Sequence, residues 1–206
     1  MGAGWAAFAI ATWLVLLVNL LVSLRMVQYL RSRQRADEHY ALREGLPELA
    51  LGEPAPEFSA RDLAGRPVRL ADYGGRETAF VFVSPHCGSC ARELPDLAKL
   101  APVARSGASA ELVLVSDSST PETNAWLAGI ADQHPEVSEL RLLVAPVSRS
   151  DLLTRYNPRG LTPYFCHLDA DGRVTARGGL RSPYWAAIVQ RWQAGSNPAR
   201  NLRRYV

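Results

Sequence analysis

Cysteine is scarce in this 206-residue chain, which has only Cys87, Cys90 and Cys166. Three thiols exclude a disulfide-stapled scaffold, which needs several bridges in place of a large core. Lysine is scarcer still: Lys99 stands alone among 23 basic residues, and the rest are arginine. The net charge is only +3, too mild to argue for a nucleic-acid partner. No internal repeat or low-complexity tract is present. The N-terminal apolar run lacks a basic segment before it and a small-residue cleavage pattern after it, so it does not read as a cleaved signal peptide. No cysteine lies near it for lipid attachment.

That run, Trp5 to Leu24, carries no charge across twenty residues. At about 1.5 Å per residue it spans about 30 Å, the hydrocarbon thickness of a bilayer. It reads as an uncleaved membrane anchor over residues 1–25, with Trp5 placed as an interfacial residue. Residues 26–50 form a charged stalk that breaks at Gly45-Leu46-Pro47. Arg25, Arg31, Arg33 and Arg35 come after the span and no charged side chain precedes it, which by charge asymmetry would place the C-terminal part of the chain in the cytoplasm. Lasting disulfide chemistry would instead place it in an oxidising compartment.

The C-terminal part is organised around Cys87-Gly88-Ser89-Cys90. The apolar, β-branched and aromatic stretch 78–84 before it reads as a buried strand, and residues 91–100 after it read as a helix. The pair thus lies at a strand-to-helix turn, where unpaired N–H groups and the positive end of the helix dipole favour an anion. A thiolate at Cys87 would be that anion, with its pKa lowered below the free value of about 8.5. Around this centre the chain reads as a hairpin at 58–70, a strand at 111–115, and a helix starting at Thr120-Pro121-Glu122 with Thr120 as cap and running to Gln133. A strand at 140–144, a short helix at 148–156, a hairpin at 164–177 and a helix at 183–193 complete it. Alternating strands and helices argue an α/β sheet with helices on both faces.

The order of these elements around a CxxC resembles the thioredoxin fold. The likeness is nearest to its membrane-anchored branch in the AhpC/TSA redoxin superfamily: TlpA- and ResA-like thiol–disulfide oxidoreductases and MauD-like methylamine utilisation proteins. Four stretches carry it. Gly52 to Phe58 resembles a G-x-x-A-P-x-F opening, and Phe82 to Cys90 resembles the F-x-S-P-x-C-x-x-C of MauD-like chains. Cys90 to Pro95 matches C-x-x-E-x-P, and Thr162-Pro163-Tyr164 with Leu168 to Val174 matches the cis-proline segment and its hairpin. Residue 86 departs from the family, with His where Trp or Thr is usual, and so does the Gly88-Ser89 dipeptide. The resemblance implies a thioredoxin-like domain over residues 51–195 with an N-terminal hairpin extension; the arginines after Ser196 mark residues 196–206 as a mobile tail. It implies no cofactor or metal beyond a redox-active Cys87–Cys90 pair, protein thiols and an upstream electron donor as partners, and an extracytoplasmic position.

By the same resemblance Cys87 attacks, Cys90 resolves, and Pro163 is cis and sets backbone beside the sulfurs. His86, if protonated, would put a cation next to Cys87; otherwise it is an exposed residue touching partners. Glu93 lies one turn beyond Cys90, as a proton relay or as a surface glutamate. Cys166 reads as a small buried hydrophobe. Two other functions compete. A peroxiredoxin-like peroxidase has Ser84 in favour, but Phe80 stands where that motif has Pro. A copper-delivery module would need two thiolates and a distal His, for which His134 and His167 are the candidates.

Overall fold

A computed structural model describes residues 8, 10–27, 48–146 and 150–195. Trp5, most of the stalk, residues 147–149 and the tail from 196 lie outside the described residues. The chain divides into two compact units, Met1–Glu44 and Gly45–Val206. In the first, helix α1, Ile10–Val27, is long and apolar enough to cross a membrane by length and composition. Its large side chains, among them Leu14, Leu17 and Leu21, are exposed along its length.

The second unit is built on a seven-stranded mixed sheet. Its strands are β1 Ser59–Asp62, β2 Pro67–Arg69, β3 Thr78–Val83, β4 Glu111–Ser116, β5 Arg141–Val144, β6 Tyr164–Leu168 and β7 Val174–Gly179, in the order β2-β1-β5-β4-β3-β6-β7. Strands β3, β4 and β5 run parallel. The β1–β2 hairpin adds antiparallel to β5, and the β6–β7 hairpin adds antiparallel to β3. Four helices connect them: α2 Gly88–Ala108, α3 Thr120–Ala131, α4 Asp151–Tyr156 and α5 Pro183–Gly195.

Every residue of β3 is buried, because both faces of the sheet are covered there. With side chains alternating, Ala79, Val81 and Val83 join the core under α2 and α5, which also takes up Trp126, Leu127 and Ile130 of α3. Phe80 and Phe82 point the other way, into a core with Leu152, Leu153 and Tyr156 of α4. There the rings of Phe58, Tyr73 and Tyr156 each meet Phe80 edge to face, with centroids 5.1 to 5.8 Å apart. Helices therefore lie on both faces, as the alternation of elements predicts.

Differences from the expected elements are local. Helix α2 starts at Gly88 rather than 91 and runs on to Ala108, because Leu94, Leu97, Ala98, Ala101 and Ala104 keep one buried stripe going. It does so with Pro95 and Pro102 inside it, each lacking the N–H that a helix interior uses. Helix α3 is capped by Ser119 rather than Thr120, without a side-chain cap bond, and ends at Ala131. A short 3₁₀ turn, Pro135–Glu139, then leads into β5.

One buried polar knot ties α5 to the sheet. His167 on β6 is almost wholly buried; its Nε2 meets Glu77 Oε1 at 2.7 Å and its Nδ1 meets the Thr175 hydroxyl. The same Glu77 oxygen accepts from Trp192 Nε1 at 3.1 Å and from Arg191. Burial lowers the His167 pKa from 6.5, although Glu77 works to raise it. As pH falls below 6.5 the unfolded chain therefore takes up a proton that the folded chain refuses, and stability declines. Urea midpoints of the full chain in detergent, from about pH 8 to pH 5, should fall through this window. His167→Gln should flatten that part of the slope; an equal slope in the variant would assign it to other groups.

Candidate active site

The parallel β3–β4 pair ends with Val83 opposite Ser116, and β3 then runs through Ser84, Pro85 and His86 into α2. Cys87 is the N-cap residue of α2, in extended conformation, and its N–H donates to Ser84 O at 3.0 Å. Its sulfur takes the place that a Ser or Asp oxygen fills at most caps: the Cys90 N–H donates to Cys87 Sγ at 3.2 Å. The Ser89 hydroxyl lies 3.1 Å from the same sulfur, and the Thr162 carbonyl oxygen lies 3.4 Å away on the other side. Cys87 is half-buried, whereas Cys90 is fully buried.

These surroundings divide the two thiols. Burial works against ionisation of Cys87, but hydrogen bonding from the Cys90 thiol, from the Ser89 and Thr162 side chains and from the Cys90 N–H outweighs it, so its pKa is lowered. Burial, and then the bond with Cys87, push the Cys90 thiol far up. One sulfur is thereby prepared as a nucleophile and the other is held protonated.

The Thr162–Pro163 peptide bond is cis, and it presents the Thr162 carbonyl to Cys87. Asn157, fully buried, holds the loop in front of it: Asn157 Nδ2 donates to Leu161 O at 2.7 Å and Asn157 Oδ1 accepts from Leu161 N at 3.1 Å. Gly160 lies in this clamp with φ of +62°, in the left-handed region that favours glycine.

His86 and Glu93 are placed differently from Cys87, Cys90 and Pro163. The His86 side chain is 64% exposed and its Nε2 meets Glu122 Oε1 of α3 at 3.0 Å. Glu93 is one turn beyond Cys90, and its Oε1 accepts at 3.3 Å from Arg181 in the turn between β7 and α5, with 25% of the Glu93 side chain exposed. Cys166 is fully buried in the α4-side core and its thiol is pushed up to about 12 by burial. His134 meets Glu136 and His167 belongs to the Glu77 knot, so neither joins the cysteine pair. Ser89, Thr162 and Asn157 are site residues that sequence reasoning misses. The hydroxyl inside the C-x-x-C is the one visible signal for Ser89, and the other two depend on contacts 75 residues away or within the loop fold.

A profile of the AhpC/TSA family matches residues 51–153, half of the chain. The chain belongs to the AhpC/TSA family. Among curated proteins it is similar to methylamine utilization protein MauD of Paracoccus denitrificans, at 33% identity over 133 residues, covering 62% of this chain and 58% of that protein. It is also similar to thiol-disulfide oxidoreductase ResA of Geobacillus thermodenitrificans, at 40% identity over 55 residues, 27% of this chain and 32% of that one. The chain thus spans less than two thirds of the length of these relatives. Among solved structures, the thioredoxin domain of a thiol-disulfide oxidoreductase from Bacteroides vulgatus superimposes with a TM-score of 0.55 at 21% identity, covering 70% of this chain and 99% of that one. The fold is the thioredoxin fold. Within this AhpC/TSA member the MauD and ResA likenesses agree with the resemblance carried by Phe82–Cys90 and Cys90–Pro95.

The two thiols should react in a fixed order. Iodoacetamide added to the reduced full chain in detergent near neutral pH should label Cys87 well before Cys90, by peptide mass spectrometry. The pH midpoint for Cys87 should lie below the free-thiol value of about 8.5, and Ser89→Ala should raise it. Preferential labelling of Cys90 would reverse the assignment.

Proposed function

We propose that this chain is a membrane-tethered thiol–disulfide oxidoreductase that exchanges disulfides with protein cysteines. The observation that carries the proposal is the Cys87 sulfur at the N-terminus of α2, accepting the Cys90 N–H while Cys90 stays buried beneath it. In the reducing direction the Cys87 thiolate attacks one sulfur of a partner disulfide. A Cys87–partner S–S bond forms, the partner's own S–S bond breaks, and its other sulfur leaves as a thiolate. Cys90 then attacks Cys87; the Cys87–Cys90 bond forms and the partner leaves with its second thiolate. The partner has gained two electrons and the pair has lost two, and an upstream thiol donor resets it. The oxidising direction is the same sequence reversed. The Thr162–Pro163 segment lies against the Cys87 sulfur, and an incoming chain would meet it there.

The peroxidase reading has less support. The Ser84 hydroxyl, which would orient a peroxide at Cys87, accepts instead from the His86 N–H at 3.3 Å. Likeness to proteins named for methylamine utilization supports a place in maturing an exported enzyme, and α1 supplies the tether. That role puts the redox unit outside the cytoplasm, against the arginines that come after the span.

Two experiments test this. Cys90→Ser should trap mixed disulfides through Cys87 in membrane extracts, resolved by reductant; a variant that traps no protein would count against protein substrates. In intact cells, a membrane-impermeant maleimide applied after mild reduction should label Cys87. Labelling only after lysis would put the unit in the cytoplasm and end the exported-enzyme role.

A further inference from the structure

The loop that carries Thr162 and Pro163 is shaped from within by Asn157, which bonds Leu161 through both ends of its amide. An exposed arginine of that loop ties it to the sheet. Arg159 Nε meets Glu48 Oε1 at 2.8 Å, and the other oxygen of Glu48 meets Arg177 Nη1 on β7 at 2.6 Å. One carboxylate therefore links the loop to the strand that pairs with β6. The Arg177 nitrogen is buried and has no hydrogen-bond partner, so the Glu48 charge beside it offsets the cost of its burial.

Glu48 is held in place by the residues that follow it. Leu49 packs against the aromatic core. The Gly52 N–H donates to Val174 O at 2.7 Å, the Ala55 N–H donates to Gly172 O at 2.8 Å, and Arg173 Nη1 donates to Gly52 O at 2.9 Å. These bonds stitch the segment to the β6–β7 hairpin. The Tyr156 hydroxyl donates to Pro56 O at 2.6 Å, which fastens the same segment to α4, the helix leading into the loop. A carboxylate fixed in this way loses little freedom on pairing, and that loss is what usually cancels an ion pair near the surface.

We propose that Glu48 is a positioning residue for partner docking: it holds the Asn157–Pro163 loop to β7, so that the Thr162–Pro163 backbone meets an incoming polypeptide beside the Cys87 sulfur. This rests on the thiol–disulfide exchange proposed for the cysteine pair. Thr162 O is 3.4 Å from Cys87 Sγ, so any shift of the loop changes what a partner meets next to the reacting sulfur. A loop already ordered in the free protein has less freedom to lose when the partner binds. In sequence Glu48 lies near the end of the charged stretch 26–50, where spacing and motif give no sign of this contact, because its partners are far along the chain.

Two probes with one leaving group separate docking from bond exchange. One is 5,5′-dithiobis(2-nitrobenzoate); the other is a short extended peptide whose single cysteine is disulfide-bonded to thionitrobenzoate. With the peptide, Cys87 attacks the peptide sulfur, the Cys87–peptide bond forms, and thionitrobenzoate leaves with the electron pair of the broken S–S bond. The peptide offers a backbone to the loop and the small reagent does not. With the reduced full chain in detergent, the peptide reaction should saturate. In Glu48→Gln the half-saturating peptide concentration should rise about fivefold, and the ratio of peptide rate to small-reagent rate should fall by the same factor, the upper range for an ion pair of this exposure. Arg159→Gln should act alike, and the double variant should fall no further, since both changes remove one link. A merely structural pair would lower the urea midpoint and leave the ratio at its wild-type value. The proposal is overturned by an unchanged ratio in Glu48→Gln, by additive falls in the double variant, or by a wild-type peptide reaction that does not saturate. A wild type in which Cys87 reacts with neither probe would overturn the exchange reading itself.

Discussion

The 3.2 Å hydrogen bond from the Cys90 N–H to the Cys87 sulfur marks the place where β3, α2 and the Thr162–Pro163 loop converge. A helix needs partners for its first N–H groups, and a thiolate needs donors and positive potential; at this turn each supplies what the other lacks. β3 can deliver the turn to a fixed point because it is covered on both faces, by the α2 and α5 core on one side and by the Phe80–Tyr156 aromatic cluster on the other. The buried Asn157 delivers the Thr162 carbonyl from the opposite side. Loosening either core would move the sulfur relative to its donors before it changed any residue of the site.

The same burial that secures α2 separates the two cysteines chemically. Cys90 faces the core and is held as a thiol, while Cys87 is at the surface end of the helix and is held toward the thiolate. Titratable groups driven apart by their surroundings take different roles in a reaction, and in the exchange we propose the split sets an order in which the outer sulfur attacks and the inner one resolves.

Much of this is readable along the chain because it depends on local pattern. The continuous apolar run at 78–83, the two hairpins with their Gly-containing turns, and the strand-to-helix position of Cys87 arise from neighbouring residues. So does the family likeness. The details that are not readable depend on partners distant in sequence. Glu93 keeps its helical spacing from Cys90, and its carboxylate accepts from Arg181, 88 residues on. His86 turns to Glu122 because α3 packs its first turn near the loop. His167, a candidate ligand by residue type, is a core residue satisfied by Glu77, 90 residues earlier. Helix ends shift for a different reason: packing carries α2 past its prolines, which local propensity counts as breaks.

A redox titration of the full chain tests the central claim most directly. The chain would be equilibrated in dithiothreitol or glutathione buffers of graded ratio, quenched with a maleimide, and mapped by peptide mass. The account predicts a single intramolecular Cys87–Cys90 disulfide that titrates as a two-electron couple, with a midpoint between about −270 and −120 mV, while Cys166 stays a thiol throughout. A chain in which Cys87 and Cys90 stay unlinked across the whole range would contradict it.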